Sequence, residues 1–180
     1  MTFAELQQAF RDWTLTATGL AGSVVYWTHQ DVPRPDGPCL SLHVRNPGRQ
    51  RGHDGGHVSQ TASGEDGEVE RDFYGYREAT VSLSAYGATA YDVIEAMRRA
   101  VHTDTGQERA RELAIAVLIS DPQSVPAMID GQRYEERVIA DARVSYIATY
   151  TDVVTPIDTI NAANEAGEDF IFSASVDTEP

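Results

Sequence analysis

Few side chains in this chain stand at the spacings that chemistry needs. The run HDGGH sets His53 and His57 four residues apart, with His43 and His29 upstream. Two histidines at that interval hold a metal when a helix places both rings on one face. The two glycines between them disfavour a helix, so the run reads as a solvated loop and no metal site is expected. Cys39, the single cysteine, lies between Pro38 and Leu40. A nucleophilic thiol needs a base and an electropositive setting; Cys39 is read instead as a small apolar residue that packs. Glu135, Glu136 and Asp141 could work as acid and base only if folding gathered them in a cleft. They fall on a strand pattern and are read as solvated positions. There is no P-loop, no GxGxxG after a strand, no HExxH and no GxSxG. Neither a catalytic residue nor a cofactor is expected.

Composition narrows the classes further. The chain has 180 residues, which suits one domain with a substantial core. Acids outnumber bases 28 to 14, giving a formal net charge of −14. Proteins that bind duplexes present a basic patch, because phosphate neutralisation supplies most of their affinity, so general nucleic-acid binding is disfavoured. The same charge suits a surface that must not hold DNA passing close by, and it equally suits plain solubility. No segment approaches the roughly 18 apolar residues that cross a membrane. The start, MTFAELQQAFRDW, lacks the basic and apolar regions of a secretory signal. With one cysteine no intrachain disulfide can form, so a reducing compartment such as a cytosol is expected.

The elements that must position these residues follow from periodicity. TFAELQQAFRDWTLTATG predicts a helix, with Thr2 and Glu5 at capping-box spacing, a stripe of Phe3, Leu6, Phe10 and Trp13, and Gly19 as its stop. SVVYWT reads as a strand. In the next strand Leu40, Leu42 and Val44 alternate with Ser41, His43 and Arg45. Residues 45 to 68 hold six glycines and almost nothing to bury, so a long mobile loop is expected, either ordered on assembly or a disordered insertion. In the following strand Ala79, Val81, Leu83 and Ala85 share one face, and Thr80, Ser82 and Ser84 the other. TAYDVIEAMRRAVHT predicts a helix with a Thr89/Asp92 start and a stripe of Tyr91, Val93, Ile94, Met97 and Val101. Its exposed Arg98 and Arg99 are salt-bridged or belong to an interface. A short helix is expected from Thr105, and IAVLIS reads as a buried strand. DPQSVPAMIDGQ reads as a connection with a turn signal. From Arg137 a long strand carries Val138, Ala140, Ala142, Val144, Tyr146, Ala148 and Tyr150 on one parity. After Pro156 the chain is helix-compatible and acidic, ending in DFIFSASV, a strand that pairs with its own sheet or a neighbour's. Helices and strands in this order predict an α+β fold: a mainly antiparallel or mixed sheet, helices on one face, and long projecting strands. The expected domain covers residues 1–152, with 153–180 as an acidic extension.

Two stretches together carry a resemblance. HQDVPRPDGPCLSL is similar to the N-Q-x-x-P-R-P-x-G-P-Y pattern between two early strands of bacteriophage neck and tail-terminator proteins. His29 stands for the Asn and Cys39 for the aromatic. DPQSVPAMIDGQRYEERVIADARVSY resembles the family's turn and long strand, in which Arg137 fits the arginine that precedes the alternating apolar run. The resemblance covers residues 3 to 152 and implies a virion structural protein rather than an enzyme, assembled in the host cytoplasm. Such proteins form a ring, usually a hexamer, that caps the tail tube, stops its polymerisation and offers a docking surface to head-completion proteins. It implies as partners further copies of the chain, the tail tube protein and a connector protein, with no cofactor, metal or membrane. DNA would pass an acidic lumen without being specifically bound. A head-completion or sheath-associated connector protein is the alternative within the virion. A small-molecule-binding or hydrolytic α+β domain is the alternative outside it. Proline fixes φ and restricts the residue before it. The stiff loop Pro33, Arg34, Pro35, Asp36, Gly37, Pro38 is therefore the expected assembly contact, together with Arg137.

Overall fold

Helix α1 (Phe3–Thr18) is closed at both ends by the residues that mark it in the sequence. The Thr2 hydroxyl accepts from the Glu5 amide while the Glu5 carboxylate accepts from the Thr2 amide, a complete capping box. That backbone hydrogen bond from Thr2 is the main reason the Glu5 carboxyl titrates below its ordinary value. Gly19 adopts φ 67° and returns its N–H to the Leu15 carbonyl. Leu6, Phe10 and Trp13 are buried, whereas Phe3, placed on the same stripe, is exposed.

The computed structural model describes residues 1–28, 33–35, 37–54, 60–62, 69–125, 127–129, 133–154, 159–163 and 169–173. Within it the chain divides into two units. The first comprises Met1–Gly55 and Tyr74–Thr149, the second Gly56–Phe73 and Tyr150–Pro180.

In the first unit a short 3₁₀ turn (Gly22–Val24) leads into β1 (Val25–Trp27), which pairs in parallel with β2 (Cys39–Gln50). Antiparallel pairing joins β2 to β4 (Val69–Tyr86), with β3 (Gln60–Ala62) belonging to the second unit. Helices α2 (Ala90–Ala100) and α3 (Asp104–Glu112) follow, then β5 (Ile115–Ile119), β6 (Gln123–Ser124), the hairpin of β7 (Ala127–Ile129) and β8 (Arg133–Glu135), and the long β9 (Arg137–Val154). The sheet runs β1-β2-β4-β9-β5, with β6 also paired to β9. The fold is α+β with a mixed sheet, as the element order implied.

The core follows the two periodicities. Ala79, Val81, Leu83 and Ala85 on β4 are at most 2% exposed, and Val138, Ala140, Ala142 and Val144 on β9 are buried beside them. From α2, Ala90, Ile94, Met97 and Ala100 join Leu40, Leu42 and the α1 stripe in one cluster. Tyr91, one residue off that stripe, is half exposed. The opposite sheet face is polar, with Ser41 across from Ser84 and His43 across from Ser82. The indole of Trp13 stacks against Phe10 and donates to the Gly106 carbonyl at 3.0 Å. A Cβ on Gly106 would collide with the Ala100 carbonyl, so the first turn of α3 needs a glycine where it crosses the end of α2.

Several expectations change in the first unit. The cap of α3 is Thr103, not Thr105: its hydroxyl accepts from the Gly106 amide, so the helix starts one residue before the anticipated one. Thr89 stands at the start of α2 without a side-chain cap bond. β2 continues through Arg45 to Gln50, where a loop was expected. Main-chain pairing with β4, shifted in register around Asn46, needs no apolar side chains, and burial periodicity is blind to it. Arg51–Glu78 and Arg77–Asp54 ion pairs hold this polar stretch. In each pair the hydrogen bond to the arginine is the largest influence drawing the carboxyl below its ordinary value. Finally, IAVLI, read as a buried strand, is buried only at Ile115 and Ile119 and leaves Leu118 half exposed; among the described residues it is the last strand of the sheet.

In the second unit β3 pairs with the start of β4, and the rings of Phe73 and Tyr150 stack at 5.0 Å. β10 (Thr159–Ala163) and β11 (Asp169–Ser173) form an antiparallel hairpin of five residue pairs. TINAA, read as helix-compatible, is therefore a strand: cross-strand pairing overrides a weak local propensity. DFIFS does pair within its own chain, through β10. Residues 174–176 of the anticipated strand lie outside the described residues.

Candidate functional site

The two stretches singled out in the sequence, about 100 residues apart, meet at one tyrosine. Tyr86 ends β4 and sits opposite Cys39, the first residue of β2. Arg34 lies over its ring with the guanidinium carbon 4.1 Å from the centroid, and the Arg137 guanidinium is 5.4 Å away. Cation–ring contacts of this kind contribute about 0.5–2 kcal/mol each. The Arg34 guanidinium also donates to Glu135 Oε1 at 2.6 Å and to the Cys39 sulfur at 3.4 Å. Arg137 donates to the Ser84 hydroxyl at 3.0 Å. One planar fork thus satisfies a carboxylate, a thiol and an aromatic face at once, which the compact ammonium of lysine cannot do.

The strand ends lock this cluster to the loop. Gly87 takes φ 95° and donates its N–H to the Glu136 carbonyl, tying the end of β4 to the start of β9. A Cβ there would sit 3.1 Å from Pro38 Cα, so a side chain would be doubly disfavoured, by conformation and by the loop's close approach. Gly37 also has positive φ, at 82°.

Charge in the cluster is partly desolvated. The Glu135 side chain is 13% exposed and that of Arg34 36%. Burial opposes the Arg34 charge, but the hydrogen bonds with Glu135 and Cys39 outweigh it and raise its pKa above the ordinary value. Burial, then the neighbouring Cys39 and Tyr86, pushes the Tyr26 phenol up. Two buried atoms, Glu135 Oε2 and Arg137 Nε, have no hydrogen-bond partner. Within the cluster Arg34 is paired with Glu135, while Arg137 is held by the Ser84 hydroxyl and the Tyr86 ring.

Of the anticipated contact residues, Pro33, Arg34, Pro35, Gly37, Pro38 and Arg137 belong to this region, and Asp36 lies outside the described residues. Arg34 is folded back onto the strand ends instead of standing free. Glu135, read as a solvated strand position, is its ion-pair partner: it precedes the long strand at the end of β8, where parity along β9 says nothing of its burial. Cys39 is buried as expected and, beyond packing, accepts a hydrogen bond. Tyr86 was missed. Its only signal was its place after the apolar alternation of β4, immediately before Gly87. Elsewhere, Arg98 is salt-bridged to Glu95 and Asp121. His43 Nδ1 lies 3.0 Å from the Thr28 hydroxyl. His29 and His57 lie outside the described residues, and among those described no group of three or more His, Cys, Asp or Glu could hold a metal.

Comparison with known families gives one result that bears on this geometry. A family model described as phage neck terminator protein matches residues 4–169. The match spans both segments that meet at Tyr86 and runs past Asp152, where the resemblance read from the sequence stopped. No curated protein matches the chain.

Proposed function

The chain belongs to the phage neck terminator protein family, and from that premise we propose that it forms a closed ring, six-fold in expectation, on the end of the tail tube. The family is structural, a component of the virion neck that works with other tail and head proteins. In our reading the ring stops tube polymerisation and presents a docking surface for the head-completion proteins.

The observation that carries this reading is the convergence of the loop from Pro33 to Pro38 and the start of β9 on Tyr86. A contact repeated around a ring gains when its loop is ordered before binding, because less conformational freedom is lost on association. The Arg34–Glu135 pair, the Tyr86 platform and the Gly87–Pro38 packing supply that order.

Charge distribution supports the passage of DNA through such a ring. The second unit contains twelve acidic residues and a single arginine, Arg71, while the other thirteen arginines belong to the first. The polar face of the main sheet carries Arg45, paired with Asp141, and not an excess of acid. An acidic lumen would therefore be furnished by the second unit, whose carboxylates repel phosphates.

The test is tube growth. Purified tail tube protein allowed to polymerise with this chain should give tubes that stop lengthening and carry an extra density at one end. Tubes that grow at the same rate with or without the chain would overturn the proposal.

A further inference from the structure

β5 has the sequence of a strand buried on every side and the position of one that is not. IAVLI carries no charge, no proline and no bulge, the devices by which edge strands resist pairing with other chains. Yet among the described residues the sheet ends at β5. Ser120 donates its N–H to Asp141. By antiparallel alternation Ala116 and Leu118 exchange bonds with β9, and Ile115, Val117 and Ile119 direct their main-chain groups off the sheet. The opposite edge is treated differently: Arg11 reaches over β1 and donates to the Val25 and Gly22 carbonyls. Beside β5 lies a cavity of about 270 Å³ whose walls include Trp13, Ala110, Arg111, Ile115 and Val117. An open strand edge flanking an apolar groove with a cation at its rim is the arrangement of a strand-addition site. There main-chain bonds give affinity and the groove gives selectivity.

We propose that β5 receives, as an added antiparallel or parallel strand, the β11 segment (Asp169–Ser173) of a neighbouring copy. This rests on the ring reading above. Among the described residues β11 pairs with β10 alone, and a two-stranded hairpin is marginal in water without a further strand or layer. Its sequence, DFIFS, brings two aromatic residues suited to the groove and an acid suited to the arginine rim of Arg111 and Arg143, the latter across from Leu118. The heavily acidic second unit is repelled by copies of itself and complements a rim of arginines. The β1 edge is not available as donor, because Arg11 occupies it. A β5–β5 pair would close a two-fold dimer and leave no edge with which to propagate a ring.

Disulfide trapping tests the pairing in the full-length chain. A bond forms only when Cα atoms come within about 7 Å, and the native Cys39 is buried. Leu118→Cys mixed with Ile171→Cys under mild oxidation should give a covalent dimer that neither variant gives alone. The double variant should give a ladder of higher species. Adding Val117→Pro, which removes one outward donor without touching the β9 ladder, should reduce the dimer yield at least several-fold. The inference is overturned by absence of the mixed dimer, by a dimer from Leu118→Cys alone, or by a purely intramolecular bond in the double variant. Mass photometry on the same samples separates the two ideas. Rings of the double variant that assemble under the oxidising conditions yet do not form the 118–171 bond sink this pairing and leave the ring reading intact. A chain that stays monomeric even with tail tube protein sinks both.

Discussion

Replacing Trp13 with alanine should lower the stability of the free chain by about 3–5 kcal/mol and its melting temperature by roughly 6–20 °C. The side chain is 1% exposed, stacks on Phe10, and lines the junction of α1 with α3 and β5. Helix α3 is short, and apart from Gly106 none of its residues is buried. It docks through Gly106, which meets both the Trp13 indole and the Ala100 carbonyl, and through Ala110, packed against the core beside the same indole. Removing the indole opens a void at that point and takes one donor from the Gly106 carbonyl. Trp13→Phe separates the two losses, since it keeps much of the ring contact and loses the hydrogen bond, for about 1–3 kcal/mol. Urea unfolding monitored by circular dichroism reads both. A Trp13→Ala chain that melts within 2 °C of the parent (a shift smaller than about 1 kcal/mol produces) would show that this junction does not anchor the helical layer.

Arg34→Ala should abolish ring formation on the tail tube while leaving the domain folded. The stability cost should be about 1–3 kcal/mol, the range for leaving a mostly buried polar group without its partner, here the Glu135 carboxylate. The assembly cost is larger because each ring contact would then have to order the loop anew, and the loss recurs at every interface. Arg34→Lys should fall between the two: it keeps a charge for Glu135 but not the simultaneous contacts to Cys39 and the Tyr86 face. Thermal melts and particle counts of capped tubes decide. If Arg34→Ala caps tubes as well as the parent chain, the loop is not the assembly contact. If capping and folding fall together, the cluster serves only the fold.

What the sequence makes legible here is whatever burial periodicity and local hydrogen bonding control. Helix α1 could be read from cap to cap because Thr2, Glu5 and Gly19 act within a turn of the elements they close. The core faces of β4 and β9 could be read because alternate residues either meet the helices or do not. Polar pairing was the blind spot. The Arg45–Gln50 part of β2 is held by a main-chain ladder to the distant β4, and the TINAA strand by pairing with the strand that follows it; neither leaves an apolar pattern that marks it. β5 misled in the opposite way, because an apolar run signals burial without saying whether its own chain supplies the cover. At the site, the loop and Arg137 stood out by motif. Their union on Tyr86, and the pairing of Arg34 with Glu135, needed the register of β2 on β4 and the turn from β8 into β9.

The most direct test of the central claim is the rotational symmetry of the density this chain adds to the end of a tail tube, measured by averaging particle images without imposed symmetry. The account predicts one closed ring per tube end, with a single rotational order, expected to be six, and the Pro33–Pro38 loop of each copy at a subunit contact. Tube ends that carry no added density, or single copies bound without rotational order along the tube wall, would contradict it.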